Sequence, residues 1–414
     1  MLPVHEACAT IMAQARPMPG TPVALGETRQ RFVSQDLLAR HDLPGFDNSA
    51  MDGYAVRNSD VSDEPGRLRP VRGESRAGGP PPPPLEPGCA MRIFTGAPMP
   101  DDADTVIIQE NATTEGDQVR FSKAPSGIGQ HVRMRGRDLR AGDLALPAGR
   151  ELSAGELALL AGQGYAQVPV HGRPRVAILS TGDELCDVEL AGTPGRVVNS
   201  NAYALAAQVQ EAGCEPWVLP TARDRADELA DRLQQALTAD VVISAGGVSV
   251  GTYDLVADAF TSAGVRTVFW KVAVKPGKPL LFGMHDVTPV FGLPGNPGGA
   301  MVTFEVFVRP LLRTMLGDRA PYRASVDVRL TRELRHGHGR TELMRATLRE
   351  VDGVLEGAPG HDQGSGSLPS MASVDALLVL PPGRDVFAAG SVVRAILTST
   401  QSSATPSFAG ANEA

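Results

Sequence analysis

Apolar positions change their spacing several times along the chain, and each change marks a region. From Val4 to Ala15 the apolar residues recur at helical spacing and stop at the proline-rich stretch 17–22, which predicts an amphipathic first helix. A short strand at Val23-Ala24-Leu25 and a small element within 28–40 follow. Gly45–Val56 is then dense in turn formers, carries Asp47 and Asp52, and runs into a strand. Between Val71 and Val119 the apolar runs are short, with Met91–Phe94 and Thr105–Ile108 the most strand-like. Pro80–Pro84 forms a stiff extended spacer, so this stretch is predicted all-β. Ser153 with Glu156 three residues on is a capping-box pattern, and it opens a helix to Gly162.

After Pro174 strands and helices alternate. Arg175–Ser180, Trp217–Leu219, Val241–Ser244, Val265–Trp270 and Pro289–Leu293 read as strands. Ala202–Ala212, Ala226–Leu237 and Val256–Ala263 read as helices, and a closing helix over 300–316 is broken or bent at Pro310. That order predicts a right-handed doubly wound α/β domain. Beyond Pro321 the period becomes two. Strands at Ala324–Leu330, Glu342–Leu348, Val354–Gly357, Ala376–Leu380 and Val392–Leu397 predict a small β-barrel or sandwich. The expected division is a linker segment 1–40 completed by 136–170, an inserted β domain 41–135, the α/β domain 171–321, a C-terminal β-barrel 322–398, and a disordered tail 399–414 rich in Ser, Thr, Ala and Gly.

Composition narrows the function. With 414 residues and 42% hydrophobic residues the chain supports about three ordinary cores. A net charge of −8 argues against general nucleic-acid binding, which needs clustered basic residues to displace counterions. No apolar run approaches the ~20 residues that span a bilayer, so a soluble cytoplasmic protein is expected. The four cysteines, Cys8, Cys89, Cys186 and Cys214, are scattered without metal-ligand or disulfide spacing. No nucleophile–histidine pair stands out, and His336 and His338 read as solvent-exposed.

The chemistry concentrates where predicted strands end in unusual loops. Val241–Ser244 runs into Gly246, Gly247, Ser249 and Gly251 and then Asp254, while Arg175–Ser180 runs into Thr181, Gly182 and Glu184. Glycine loops of this kind serve tight packing as readily as anion binding. Two of them at the carboxyl ends of strands in one sheet point to a single site, because ligands of open α/β sheets bind there. Ser180, Thr181, Gly182 and the Gly246–Ser249 turn supply amide and hydroxyl donors to phosphate. Glu184 and Asp254, with phosphate oxygens and water, suit Mg²⁺. Lys271, Lys275 and Lys278 follow a neighbouring strand, the latter two stiffened by Pro276 and Pro279, and are point charges for an oxyanion; Lys271 equally fits a surface lysine at a strand end. Arg133, Arg135, Arg137 and Arg140 surround Asp138, a pattern that fits both a solvated face and a phosphate or partner contact. Asp52 in its Asp-Gly turn is open to a purely structural reading. The residues alone lead to Mg²⁺-assisted phosphate or anion chemistry on an α/β domain.

Several motifs, in order, carry a resemblance: Phe46-Asp47-Asn48-Ser49-Ala50-Met51-Asp52-Gly53-Tyr54-Ala55, Thr95-Gly96-Ala97, Ser180-Thr181-Gly182-Asp183-Glu184-Leu185, Gly246–Gly251 through Asp254, Lys275-Pro276-Gly277-Lys278-Pro279, and Gly292–Pro297. To about Leu397 the sequence resembles the MoeA-type molybdopterin molybdenumtransferase family, whose relatives include the C-terminal region of gephyrin. The resemblance implies a homodimer that inserts molybdenum from molybdate into adenylylated molybdopterin with Mg²⁺-dependent release of AMP. It also implies encounters with the adenylyltransferase and with molybdoenzyme acceptors. Carried over by motif, Asp52, Thr95, Asp138, Glu184 and Asp254 are implied to be needed for activity. Ser180, Thr181, Gly182, Gly246, Gly247, Ser249, Pro294 and Pro297 are implied around the pterin substrate, and Lys271, Lys275, Lys278, Arg345 and Ser365 around molybdate, with Arg340 a weaker match. Asp52 and Thr95 would then approach the α/β domain of the other subunit. The chain departs from the family at Gly298-Gly299, where Val-Ser is common, and at Asp375, where Asn is frequent. The same α/β domain occurs in adenylyltransferases that make the adenylylated pterin, in a nucleotide-amidohydrolase family, and in gephyrin as an assembly scaffold. The Asp52 and Thr95 motifs with the C-terminal β domain favour the molybdenum-inserting type.

Overall fold

In the computed structural model, which describes residues 1–246, 255–337 and 339–398, the alternating stretch after Pro174 forms a six-stranded open sheet. Its strands are β1 (Arg175–Ser180), β2 (Glu215–Val218), β3 (Val241–Ala245), β4 (Arg266–Trp270), β5 (Leu281–His285) and β6 (Thr288–Leu293). They lie in the order β2-β1-β3-β6-β5-β4. The first four in that order run parallel, and β5 and β4 add antiparallel edges. Successive strand side chains point to opposite faces, and each face has its own core. Val176, Ile178, Val241, Ile243 and Phe291 pack beneath helix α1 (Ser200–Glu211) and the closing helical run. Ala177, Leu179, Val242 and Val290 pack beneath α2 (Ala226–Ala236) and α3 (Leu255–Ser262). Helices on both faces explain why the central strands read as continuous apolar runs.

β5 is an element the sequence reading passed over. It folds back on β6 through a tight turn in which Asp286 takes φ 50°. The closing helix is helical at Pro297–Thr303 and Arg309–Met315 and widens to a π turn at Phe304–Val308. Pro310 has no N–H to offer the preceding turn and its ring crowds that turn's carbonyl. A widened turn before the proline accommodates both without ending the helix.

The C-terminal region closes on itself. Strands Thr341–Val351, Val354–Pro359, Ser325–Leu330, Val392–Leu397 and Ala376–Leu380 pair in that order, and the last returns to the first, giving a five-stranded barrel around Val328, Leu330, Ala346, Leu378 and Ala395. The strand Thr341–Val351 also accepts a foreign partner. The short strand Val274–Lys275 pairs with it in parallel, Val274 opposite Thr341 and Lys275 opposite Glu342.

Residues 53–121 contribute another six-stranded sheet, with Gly53–Val56 between Thr105–Ile108 and Ala90–Ile93. Gly20–Ala24 pairs with Gln167–His171, and Leu37–Leu38 with Leu144–Leu146. The first helix, Val4–Met12, sends Ala7 and Ile11 into the core beneath the closing helical run. The helix Ala154–Gly162 carries the expected capping box, Ser153 with Glu156. No helix among the described residues is long and apolar enough to cross a membrane.

Candidate functional site

The carboxyl ends of β1, β3 and β6 open into a cleft of about 720 Å³. Thr181, Gly182 and Glu184 follow β1, Ala245 and Gly246 end β3, and Pro294, Gly295, Asn296 and Pro297 follow β6; all line the cleft. The loops are packed tightly. Gly246 takes φ 102°, and a Cβ there would lie 3.0 Å from the Thr181 carbonyl oxygen. Only glycine accepts that conformation cheaply, and it lets the β1 and β3 loops touch. Ser180 Oγ, Thr181 Oγ1 and Ser244 Oγ are buried at these strand ends without a hydrogen-bond partner among the described residues. Of these residues Thr181 lines the cleft, where its hydroxyl is suited to a ligand's oxygen because buried polar atoms normally find partners.

Of the carboxylates, Glu184 lines the cleft and is exposed. Gly247, Ser249, Asp254 and His338 lie outside the described residues. Asp224 also lines the cleft and was missed. It follows the edge strand β2, and the loop carrying it is tied to the β1 loop. Gly182 N–H donates to the Ala222 carbonyl at 3.2 Å, and Asp224 N–H to Asp183 Oδ1 at 3.3 Å. The strand-end rule that located the other loops reaches Asp224 as well, once β2 is placed beside β1.

Ser365 comes to the cleft's rim from the barrel side, and Arg345 lies buried behind it. Asn296, which lines the cleft, donates from Nδ2 to Ser365 Oγ at 2.9 Å, and Gly298 N–H donates to the Ser365 carbonyl at 2.8 Å. Arg345 is only 1% exposed. Its guanidinium donates to the carbonyls of Gly364 at 3.1 Å and Asp362 at 3.4 Å, and burial lowers its pKa. The Gly298 departure has a steric reason here, since a Cβ at Gly298 would stand 2.5 Å from Arg345 Nη1 and 2.9 Å from the Ser365 oxygen. At Asp375 the carboxylate accepts the Leu348 N–H at 2.8 Å, an acceptor role that an Asn side-chain oxygen fills equally.

The three lysines share one loop next to Pro279, which lines the cleft. Lys271 places its Nζ 4.4 Å from the Trp270 ring centroid, a cation–π contact. Lys275 is paired with Glu342 at 2.8 Å. Lys278 is half-buried and forms no ion pair among the described residues. Arg340 donates to the Val274 carbonyl at 3.4 Å and so holds the same loop. The expectation that His336 is solvent-exposed is wrong. The ring is 2% exposed, drawn inward by a hydrogen bond to the buried Glu342.

Asp52 and Thr95 meet each other. Asp52 Oδ1 accepts both the Thr95 N–H at 2.7 Å and the Thr95 hydroxyl at 2.8 Å. The amide, then the hydroxyl, hold the Asp52 carboxyl below the usual carboxylate range, and Arg92 adds to it. Asp138 is exposed, beside a turn that Asp42 organises by accepting the Ala141 N–H at 2.9 Å and pairing with Arg135. Neither this turn nor the Asp52–Thr95 pair contributes to the cleft lining within one chain.

An open α/β sheet with a cleft at its strand ends, flanked by a β region and a closed barrel, defines a multidomain α/β protein. Family models agree region by region: MoeA N-terminal region over residues 2–164, a probable molybdopterin-binding domain over 177–314, and MoeA C-terminal region over 327–398. Among curated proteins, the molybdopterin molybdenumtransferase of Nostoc sp. is 40% identical over 90% of this chain and 87% of its own length. That of Bacillus subtilis is 33% identical over 96% and 94%. The MoeA protein of Pyrococcus horikoshii superposes with a TM-score of 0.83 at 26% identity, covering 96% of this chain and 100% of its own. The chain belongs to the molybdopterin molybdenumtransferase family.

Proposed function

We propose that the protein transfers molybdenum from molybdate to the dithiolene of adenylylated molybdopterin, with release of AMP. The carrying observation is the cleft at the ends of β1, β3 and β6, which the Thr181 hydroxyl, without a partner among the described residues, shares with the carboxylates Glu184 and Asp224. In this reading Ser180, Thr181, Gly182, Gly246, Pro294 and Pro297, with Gly247 and Ser249, receive the pterin and its phosphates. Lys271, Lys275, Lys278, Arg345 and Ser365 hold the molybdate.

Glu184 and Asp224 fit Mg²⁺ in donor chemistry, being hard oxygen ligands near donors suited to phosphate. No group of three or more metal-ligating side chains is assembled among the described residues. Mg²⁺ commonly completes its shell with water and substrate oxygens, and Asp254 would be a further ligand. When bound, Mg²⁺ would neutralise phosphate charge at the scissile linkage. The protein's own groups orient the pterin, bring the oxyanion to it and shield the pair from bulk water. Asp52, Thr95 and Asp138 fall outside the cleft of their own chain, which supports a homodimer in which they complete the partner's site.

The test is AMP release from adenylylated molybdopterin on addition of molybdate and Mg²⁺. Lys278→Ala is expected to raise the molybdate needed by roughly 10-fold or more, the worth of one charged hydrogen bond. Wild-type protein that binds the adenylylated pterin and never releases AMP would overturn the reading.

A further inference from the structure

Glu342 lies in the barrel strand Thr341–Val351, is 2% exposed, and has its two carboxylate oxygens taken by different partners. Lys275 Nζ stands 2.8 Å from Oε1. His336 Nδ1 stands 2.8 Å from Oε2. A carboxylate only accepts, so the His336 Nδ1–H is the donor. The histidine is itself anchored, its backbone N–H donating to the Asp385 carbonyl at 2.8 Å. The lysine is anchored through the pairing of Val274–Lys275 with Thr341–Glu342 and through Arg340 on the Val274 carbonyl. Burial separates the pair's members sharply: 3% of the Glu342 side chain is exposed against 34% for Lys275.

A carboxylate taken so far out of water is costly unless its lone pairs are filled, and a barrel interior gains more from an apolar residue at that place. The arrangement therefore needs a reason beyond barrel stability. A lysine on a flexible four-carbon stem is a poorly directed point charge. Here one of its three N–H groups is spent on Glu342, which fixes the ammonium and leaves the other two aimed by geometry.

We propose that Glu342, backed by His336, is a positioning residue that orients Lys275 toward the oxyanion substrate. This rests on the reading of Lys275 as a molybdate contact. Two opposite effects are in play, because the nearby negative charge repels an anion while the alignment favours it; the proposal requires alignment to win. In the molybdate-dependent AMP-release assay, Glu342→Gln is expected to raise the half-saturating molybdate concentration about 3- to 10-fold, with turnover at saturating molybdate near wild type. On a Lys275→Ala background the same substitution should add nothing, since its effect passes through the lysine. A half-saturating concentration that is unchanged or lowered in Glu342→Gln overturns the proposal, and so does an equal shift on both backgrounds. If Lys275→Ala alone leaves molybdate dependence unmoved, the molybdate reading of Lys275 fails first, and that single variant identifies it. Should Glu342→Gln not fold, His336→Leu removes the backing contact to Glu342 Oε2. Its expected direction is the same, and its effect too should vanish on the Lys275→Ala background.

Discussion

Asp52 shows what one threonine does to one carboxylate. The Thr95 amide and hydroxyl both donate to the same oxygen, so the charged form is favoured and the pKa falls. A depressed carboxyl contributes stability above its ordinary pKa and loses it as pH falls through the depressed value. Thr95→Val keeps the amide and removes the hydroxyl. The Asp52 carboxyl should then titrate at higher pH in a carbon-detected NMR titration, and the acid limb of the activity profile should move the same way. An unmoved titration would mean the hydroxyl contact does not form in solution. At Gly298 the argument is steric. Gly298→Val must displace Arg345 or the Ser365 carbonyl, an overpacking cost of ~1–3 kcal/mol readable as a lowered melting temperature. Residues of this scale divide in how legible they were. Glu184, Thr181 and Gly246 were readable because they follow strand ends directly. Asp224 and Glu342 were not, because each acquires a partner from a segment distant in sequence, and His336 was not, because the six-residue separation from Glu342 carries no periodic signal.

Among the elements, the helix Ala154–Gly162 was fully announced by its cap. Ser153 first, then Arg150, hold the Glu156 carboxyl at about 2. The resulting stabilisation is complete above about pH 4.5, the ordinary value for the group, and is lost as pH falls toward 2. Glu156→Gln is expected to cost roughly 1–3 kcal/mol at neutral pH. In a pH series of thermal melts its deficit against wild type should close between those limits, and a deficit constant with pH would contradict the assignment. β5 was lost to the sequence reading for a physical reason. Its apolar run follows directly on the Lys-Pro-Gly-Lys-Pro loop and turns through Asp286 with no glycine to mark the hairpin. The π turn was legible only as a disturbance at Pro310, since a proline tells that a helix must adjust but not how.

At the scale of the whole molecule, the segregation of Asp52 and Thr95 from the cleft has a measurable outcome. Mixed dimers of Asp52→Ala and Glu184→Ala chains should recover activity through the one site that combines two intact halves. Recovery near a quarter of wild type is expected if subunits exchange at random and each mixed dimer, about half of the population, holds one intact site in two. No recovery after verified exchange would place the whole site within one chain. The strand–helix order and the period-two C-terminal strands made the two main regions readable, because burial on both faces gives continuous apolar runs and burial on one face gives alternation. The closure of the barrel and its pairing with Val274–Lys275 were not, since strand partners across such distances leave no mark on local periodicity.

That pairing bears on how the molecule can be taken apart. The barrel's strand Thr341–Val351 pairs with Val354–Pro359 only from Ala346 onward, and Val274–Lys275 pairs with its first two residues, Thr341 and Glu342. The barrel is therefore not a detachable module. A chimera that borrowed residues 322–398 from a relative would graft a new neighbour onto the lysine loop, and inheritance of a working loop would depend on what that donor carries at position 342.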